Sequence, residues 1–264
     1  KIDAVLHFAA SLVVPESVSN PIKYYENNVG GSLTLIKGML KAKVRRLIVS
    51  STAAVYGDVK RIPVQEFTPT IPESPYGASK LMVENMLDDI AKAEKFEFIT
   101  LRYFNVAGSH PDADIGIRHK EVTHLIPCVL KAALGEESKE IVIFGDDYPT
   151  KDGTCVRDFI YVMDLCEAHL CALRALEDHS NTHSVINLGS QEGYSVKEVI
   201  EMCRAVTGRY IPVKVGPRRP GDPAQVVASN EWAHREIGWR PTASLKKIIE
   251  TSWEWELAES KRRK

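Results

Sequence analysis

The chain has 264 residues, 44% hydrophobic and 26% charged, with a formal net charge of -1, the make-up of a soluble globular protein of one or two domains. Near-neutrality gives no electrostatic support to a nucleic-acid or anionic-membrane partner, and the basic end at residues 261–264 reads as a solvated tail. No apolar run is long enough to span a bilayer, and five cysteines without a C-x-x-C spacing point to free thiols in a reducing cytoplasm.

The chain opens on KIDAVLHFAA, which reads as a buried strand over residues 4–8. A core strand at a terminus, with no leader before it, leads to the expectation that the first residues of the protein are missing. A helix is predicted over 21–42, then a strand over 46–50 ending in SSTAAVYG. SPYGASK opens a second helix over 75–94, marked by Ser74 and Pro75 at its start, with Leu81, Met82, Asn85–Met86 and Ile90 expected as its buried face. A strand over 98–104 ends in RYFNVAG. After Gly108 the polar stretch SHPDADIGIRHKE reads as a boundary. Beyond it come helices over 124–134, 163–177, 196–207 and 245–259 and strands over 141–144, 159–161 and 184–188. Strands alternating with helices predict a parallel sheet covered by helices. The continuous apolar starts of LIVSS and FITLRYF predict strands buried on both faces. His119 and His124 have no third ligand in view, so no metal site is expected.

Three Tyr-x-x-x-Lys spacings occur: Tyr56 to Lys60, Tyr76 to Lys80 and Tyr210 to Lys214. Positions i and i+4 share a face only on a helix. The first spacing runs through the turn signal Gly57–Asp58. The third reads as a strand containing Pro212, which at ~3.3 Å per residue parts the two side chains by roughly 13 Å. Only Tyr76 and Lys80 fall in helical context. A phenol beside an ammonium loses its proton more easily, which suits a proton shuttle for an alcohol being oxidised; the plain alternative is a surface helix with an amphipathic lysine.

Ligands of open parallel sheets lie beyond the carboxyl ends of the strands. That places the hydroxyls of Ser50, Ser51 and Thr52 at a crevice, unless they only satisfy loose backbone groups. Asn105 holds a polar ligand or caps its loop. Arg157 suits a phosphate or pairs with Asp158 or another acid. Arg218, Arg219 and Asp222 fit a diphosphate and a ribose, or form a solvated turn.

The series SSTAAVYG, SPYGASK, RYFNVAG, IVIFGDDYPTKDGTCVRDFIYVMDL, NLGS and PRRPGD, in that order, resembles the UDP-glucose 4-epimerases, extended members of the short-chain dehydrogenase/reductase superfamily. HFAA and PESVSNPIKYYENNV share the likeness, which runs from the first residue to about Glu256. The resemblance implies an α/β fold: a Rossmann-like parallel sheet, N-terminally truncated, with a smaller mixed α/β substrate-binding domain. The expected division is a remainder of the NAD-binding domain at 1–109, with 158–187 returning to it, and a UDP-sugar domain at 110–157 and 188–264. Tyr76 matches the family's catalytic base, Lys80 its partner on the nicotinamide ribose, and Thr52 a hydroxyl that helps bind the reacting alcohol. Phe8, Ala9, Ala10, Asn27, Ser50, Ser51 and Tyr103 match cofactor-side positions. Asn105, Leu125, Phe144, Arg157, Arg219 and Asp222 match the UDP-sugar cradle, with Phe144 against uracil, the two arginines on the diphosphate and Asp222 on a ribose hydroxyl.

By the same resemblance, NAD is a recycled cofactor. The sugar is oxidised at carbon 4, turns about its link to UDP and is reduced on the opposite face, interconverting UDP-glucose and UDP-galactose in galactose metabolism. The partners implied are a UDP-sugar and a second copy of the chain, joined through the helices over 20–42 and 75–94, with no nucleic acid and no membrane. The sequence departs from the family in holding no G-x-G-x-x-G or G-x-x-G-x-x-G turn, so the chain as given is expected to be marginally stable and unable to hold NAD, and the complete parent to be active. Leu12 stands where many relatives carry a basic residue toward the cofactor. A 4,6-dehydratase or decarboxylase needs an acid beside Thr52, where this chain has Ala53 and Ala54. An epimerase acting on a UDP-N-acetylhexosamine or UDP-pentose stays open, Val226 suggesting a roomy sugar pocket. So does a non-catalytic member of the family.

Overall fold

The computed structural model describes residues 2–118, 123–135, 140–178, 183–219 and 221–263. His119, weighed above as a metal ligand, Pro220 of the PRRPGD segment and Lys264 of the basic end lie outside them. In chain order the elements are β1 (Val5–His7), α1 (Val14–Ser19), α2 (Pro21–Tyr24), a π-helical stretch (Tyr25–Gly30), α3 (Gly31–Lys41), β2 (Arg46–Thr52), α4 (Pro75–Ala93), β3 (Glu97–Tyr103), β4 (Asn105–Ala107), α5 (Leu125–Leu134), β5 (Ile141–Phe144) and β6 (Val156–Tyr161). Then come α6 (Val162–Asp178), β7 (His183–Leu188), β8 (Gly193–Ser195), α7 (Val196–Thr207), β9 (Val213–Gly216), β10 (Gln225–Val226), α8 (Glu231–Ile237) and α9 (Leu245–Arg263).

Packing divides the chain into two compact units. The first comprises residues 1–104, 167–188 and 229–239; the second comprises 105–166, 189–228 and 240–264. Compared with the division drawn from the sequence, 105–109 and 158–166 pack with the second unit, and 188 and 229–239 with the first.

The first unit is built on a parallel sheet in the order β1-β2-β3-β7. β2 and β3 are buried along their central five residues, as strands covered on both faces must be. Leu47, Val49 and Phe98 pack there against Ile36 and Met39 of α3 and Val83 and Leu87 of α4; the buried face of α4 is thus turned from the one expected, leaving Met82 and Asn85 exposed. α4 starts where Ser74 accepts the Gly77 N–H at 3.2 Å, with Pro75 at the first helical position. The single helix predicted over 21–42 is instead split by the π-helical stretch. Asn28 lies inside it, buried, with its amide bound to the Ser11 carbonyl and the Ser79 hydroxyl at 3.0 Å each. Such local widening is common at functional sites.

The second unit has a mixed sheet, β10-β6-β4 parallel with β8 antiparallel on β6, and a separate parallel pair β5–β9. Its core joins Ile126, Val129 and Leu130 of α5, Val199 and Cys203 of α7, and Ile248 and Ile249 of α9. A capping box at Ser195 and Glu198 starts α7 and Gly208, at φ 63°, ends it. No helix among the described residues is long and apolar enough to cross a membrane.

Candidate active site

Three of the expected residues meet in the first unit. β2 ends at Thr52, whose Oγ1 accepts the Ala54 N–H at 3.1 Å and whose hydroxyl draws the pKa of the Tyr76 phenol down. Tyr76 stands in the first turn of α4, its ring edge-on to Tyr24 at 6.4 Å. Gly77 lets this turn press on the loop after β2: a Cβ there would lie 2.6 Å from the Ala54 carbonyl oxygen. Lys80, one turn further on, is 8% exposed. Burial pulls its ammonium down to a pKa of about 8, against the pull of the Glu84 carboxylate. Burial pushes the Tyr76 phenol up, with the Thr52 hydrogen bond opposing it. The expectation that the Lys80 ammonium eases loss of the phenol's proton does not hold in the ligand-free protein: burial holds the phenol up, and Thr52 is what acts against it.

Around them, Phe8 is 58% exposed and its ring lies 4.8 Å from that of His169. Ala9 and Ala10 follow it beyond the end of β1. Ser50 Oγ lies 3.0 Å from the Tyr103 hydroxyl, which meets His169 Nε2 at 2.5 Å. Asn27, exposed, donates its amide to Asn28 Oδ1 at 3.0 Å.

Ser51 does not belong with these. Side chains alternate along a strand, so Ser50 and Thr52 share one face of the sheet and Ser51 takes the other. Its hydroxyl is buried and donates to Glu84 Oε1 at 2.5 Å. The Tyr56 phenol is spoken for as well: it accepts from Arg102 and donates to Asn187, at 2.8 and 2.7 Å. Lys60 pairs with Asp58, and Tyr210 is exposed, so neither rival spacing makes a shuttle.

The second unit holds a cleft of about 440 Å³ lined by Asn105, Leu125, Phe144, Arg157, Arg219 and Asp222 among others. Leu125 opens α5, Phe144 ends β5 and Arg157 lies on β6. Asn105 Nδ2 donates to the Asp158 carbonyl at 2.9 Å. Arg157 pairs with Asp222, not with Asp158. The latter is fully buried and accepts the N–H groups of Ser190, Gln191 and Ala228 at 2.6, 3.1 and 3.0 Å. The Arg219 guanidinium stacks on the Phe144 ring at 3.8 Å. Arg218 stacks on Tyr148 at 4.2 Å and pairs with Asp147 at 2.6 Å, holding the arginine loop to the turn after β5. Val226 lies in register with Arg157 across β10 and β6. An aromatic face, two guanidiniums and a carboxylate in one cleft form a donor set for a nucleoside diphosphate.

The profile of the NAD dependent epimerase/dehydratase family matches residues 1–189. The chain belongs to that family. A UDP-glucose 4-epimerase of Halalkalibacterium halodurans is 50% identical over 255 residues, covering 96% of this chain and 76% of that protein. The crystal structure of UDP-glucose-4-epimerase from Stenotrophomonas maltophila with bound NAD and formylated UDP-arabinopyranose superposes with a TM-score of 0.96 at 41% identity, over 99% of this chain and 78% of the other. The enzyme from Bifidobacterium longum, in complex with NAD+ and UDP, gives 0.92 at 41% identity over 98% and 77%.

Membership of the epimerase/dehydratase family explains the motif order read from the sequence. Sequence reasoning missed the buried Asn28, His169 and the pairing of Glu84 with Arg102. Only the acid at Glu84, one helical turn beyond Lys80, left a readable signal.

Proposed function

We propose that this family member interconverts UDP-glucose and UDP-galactose by NAD-dependent inversion at carbon 4 through a transient 4-keto sugar. The observation that carries the reading is Tyr76 in the first turn of α4, with the buried Lys80 one turn along the same helix and the Thr52 hydroxyl acting on the phenol. The donor set of the first unit fits the nicotinamide-ribose end of NAD: a buried ammonium at Lys80, an exposed amide at Asn27 and an exposed aromatic face at Phe8. NAD, when bound, supplies a reversible acceptor for the hydrogen on carbon 4.

The chain's own residues do the rest. Tyr76 as phenolate takes the proton of the 4-hydroxyl as the hydrogen leaves carbon 4, and gives it back when the hydrogen returns to the other face. Thr52 Oγ1 holds the reacting oxygen. Burial keeps the phenol protonated in the ligand-free protein, so the phenolate depends on added positive charge; Lys80 contributes it only while it is an ammonium, below about pH 8. Arg157 and Arg219 grip the diphosphate, Phe144 carries the base and Asp222 meets the ribose. Binding energy spent on the nucleotide leaves the sugar free to turn.

The test is UDP-galactose carrying deuterium on carbon 4. Retention of the label on carbon 4 of the UDP-glucose formed is expected, because the hydrogen returns to the carbon it left. Washout to solvent would contradict the mechanism. A cytoplasmic homodimer is part of this reading. Val18 and Ile22 on the α1–α2 segment are 65% and 67% exposed, and Met82 on α4 is 46% exposed, an apolar face suited to a second copy; light scattering of the purified protein measures the stoichiometry.

A further inference from the structure

Behind the Tyr76–Lys80 face, the first unit buries a charged cluster that the mechanism leaves unused. Glu84 follows Lys80 by one turn of α4. Arg102 of β3 reaches its two oxygens through Nε at 3.1 and 3.2 Å and through Nη2 at 2.5 Å. The side chains of this pair are 6% and 4% exposed. Ser51 donates to the same carboxylate. The second fork of Arg102 donates to the Tyr56 hydroxyl and to the Glu66 carbonyl at 2.8 and 3.2 Å. Tyr56 is anchored in turn on Asn187, and Asn187 donates its N–H to Glu66 Oε1 at 2.8 Å.

A buried ion pair is no more stabilising than well-packed apolar side chains of the same volume, so stability does not account for it. Its location does. Glu84 is fixed at every oxygen and cannot swing toward solvent, and it sits on the helical row of Tyr76 and Lys80. We propose that Glu84, clamped by Arg102 of β3 and Ser51 of β2, is a positioning residue that fixes the turns of α4 carrying Lys80 and Tyr76. The proposal rests on the reading of Tyr76 and Lys80 given above.

The groups that bear on Lys80 are few. His7 on β1 is a potential like charge: burial first, then Lys80, draws its pKa down, so it stays neutral at working pH. Tyr24 of α2 meets Tyr76 edge-on and gives its own hydroxyl to Glu16 of α1 at 2.8 Å. Arg102 is spent on Glu84. The opposite charge that holds the Lys80 ammonium against burial is Glu84.

Three variants test this. Glu84→Gln removes the charge and keeps the shape. Glu84→Met with Arg102→Met removes the pair whole and strands no charge. Ser51→Ala removes one hydrogen bond to Glu84 and no charge. Competitive acetylation with acetic anhydride across pH, with the Lys80 peptide quantified by mass spectrometry, reads the lysine without requiring turnover; kcat and KM for UDP-galactose are measured on the complete parent protein loaded with NAD. In Glu84→Gln the Lys80 midpoint is expected to fall by about one unit; the double variant, which removes no net charge, moves it less, and in both kcat at pH 8 falls about tenfold or more at unchanged KM. Ser51→Ala keeps the midpoint and loses about threefold in kcat. If Glu84→Gln does not fold, the double variant carries the measurement; if neither folds, the kcat of Ser51→Ala decides. A midpoint and kcat equal to the parent's in the folded variants would overturn the proposal. Tyr76→Phe runs alongside: full turnover there strikes the site reading instead and leaves the acetylation result standing.

Discussion

Tyr76→Phe removes one oxygen, and the structure sets what each level of the protein should lose. Thr52 Oγ1 keeps the Ala54 N–H at 3.1 Å, so no buried acceptor is orphaned. The ring keeps its edge contact with Tyr24. The phenol's interaction with Thr52 is lost, worth at most about 1 kcal/mol of stability, and the burial that pushes the phenol up is relieved in part. The catalytic loss is of another order. A positioned base contributes roughly 100- to 10,000-fold, which at 1.36 kcal/mol per decade is about 3–5 kcal/mol of barrier. UDP affinity should stay within about twofold, because the arginines and Phe144 lie in the second unit. The assay couples formation of UDP-glucose to its oxidation, with UDP titrated calorimetrically and melting followed by circular dichroism. A kcat within threefold of the parent would refute the role of Tyr76. A melting temperature lowered by more than ~5 °C would show that the residue acts through the fold.

Arg219→Gln removes both a phosphate ligand and the stack on Phe144, and should weaken UDP by about 10- to 100-fold, near 1.4–2.7 kcal/mol, with kcat at saturating substrate little changed; calorimetry reads it. Gly77→Ala drives a Cβ onto the Ala54 carbonyl, a rigid backbone partner. It should cost about 1–3 kcal/mol in stability and reduce kcat by parting Thr52 from Tyr76, seen in melting and turnover. Lys80→Met should lose activity yet gain stability at neutral pH. The folded pKa of about 8 lies below the ordinary lysine value of 10.5, so the native state binds fewer protons between those values and its stability rises with pH across that window. The penalty is full below about pH 8, of order 3 kcal/mol from a shift of about 2.5 units, and is gone above about pH 10.5. Denaturant midpoints of the two proteins should therefore differ at pH 7 and converge at high pH.

Where local chemistry determines conformation, the chain could be read directly. Ser74 and Pro75 fixed the start of α4, the apolar runs of β2 and β3 announced strands buried on both faces, and Gly57 at φ 63° broke the rival Tyr56–Lys60 spacing as a turn residue should. Order and spacing of SSTAAVYG, SPYGASK and PRRPGD were enough to point to the epimerases. What resisted were facts about pairs of residues far apart in the chain. Ser51 and Thr52 are neighbours with like side chains, yet the pleat sends one to Glu84 and the other to Tyr76, and a string of three hydroxyls does not say which is which. The π-helical stretch at Tyr25–Gly30 exists because Asn28 reaches Ser11 and Ser79, contacts that local helix propensity does not contain.

The sequence by itself determined the longer helices and strands, the parallel arrangement of the first unit's sheet and the candidate chemistry, because helix caps, hydrophobic period and i,i+4 spacing act over a few residues. Tertiary structure alone decided the protonation of that chemistry. Burial draws the Lys80 ammonium down and the Tyr76 phenol up, and it locks Arg102 to Glu84. Desolvation depends on everything packed around a group, and no short stretch of chain carries that information.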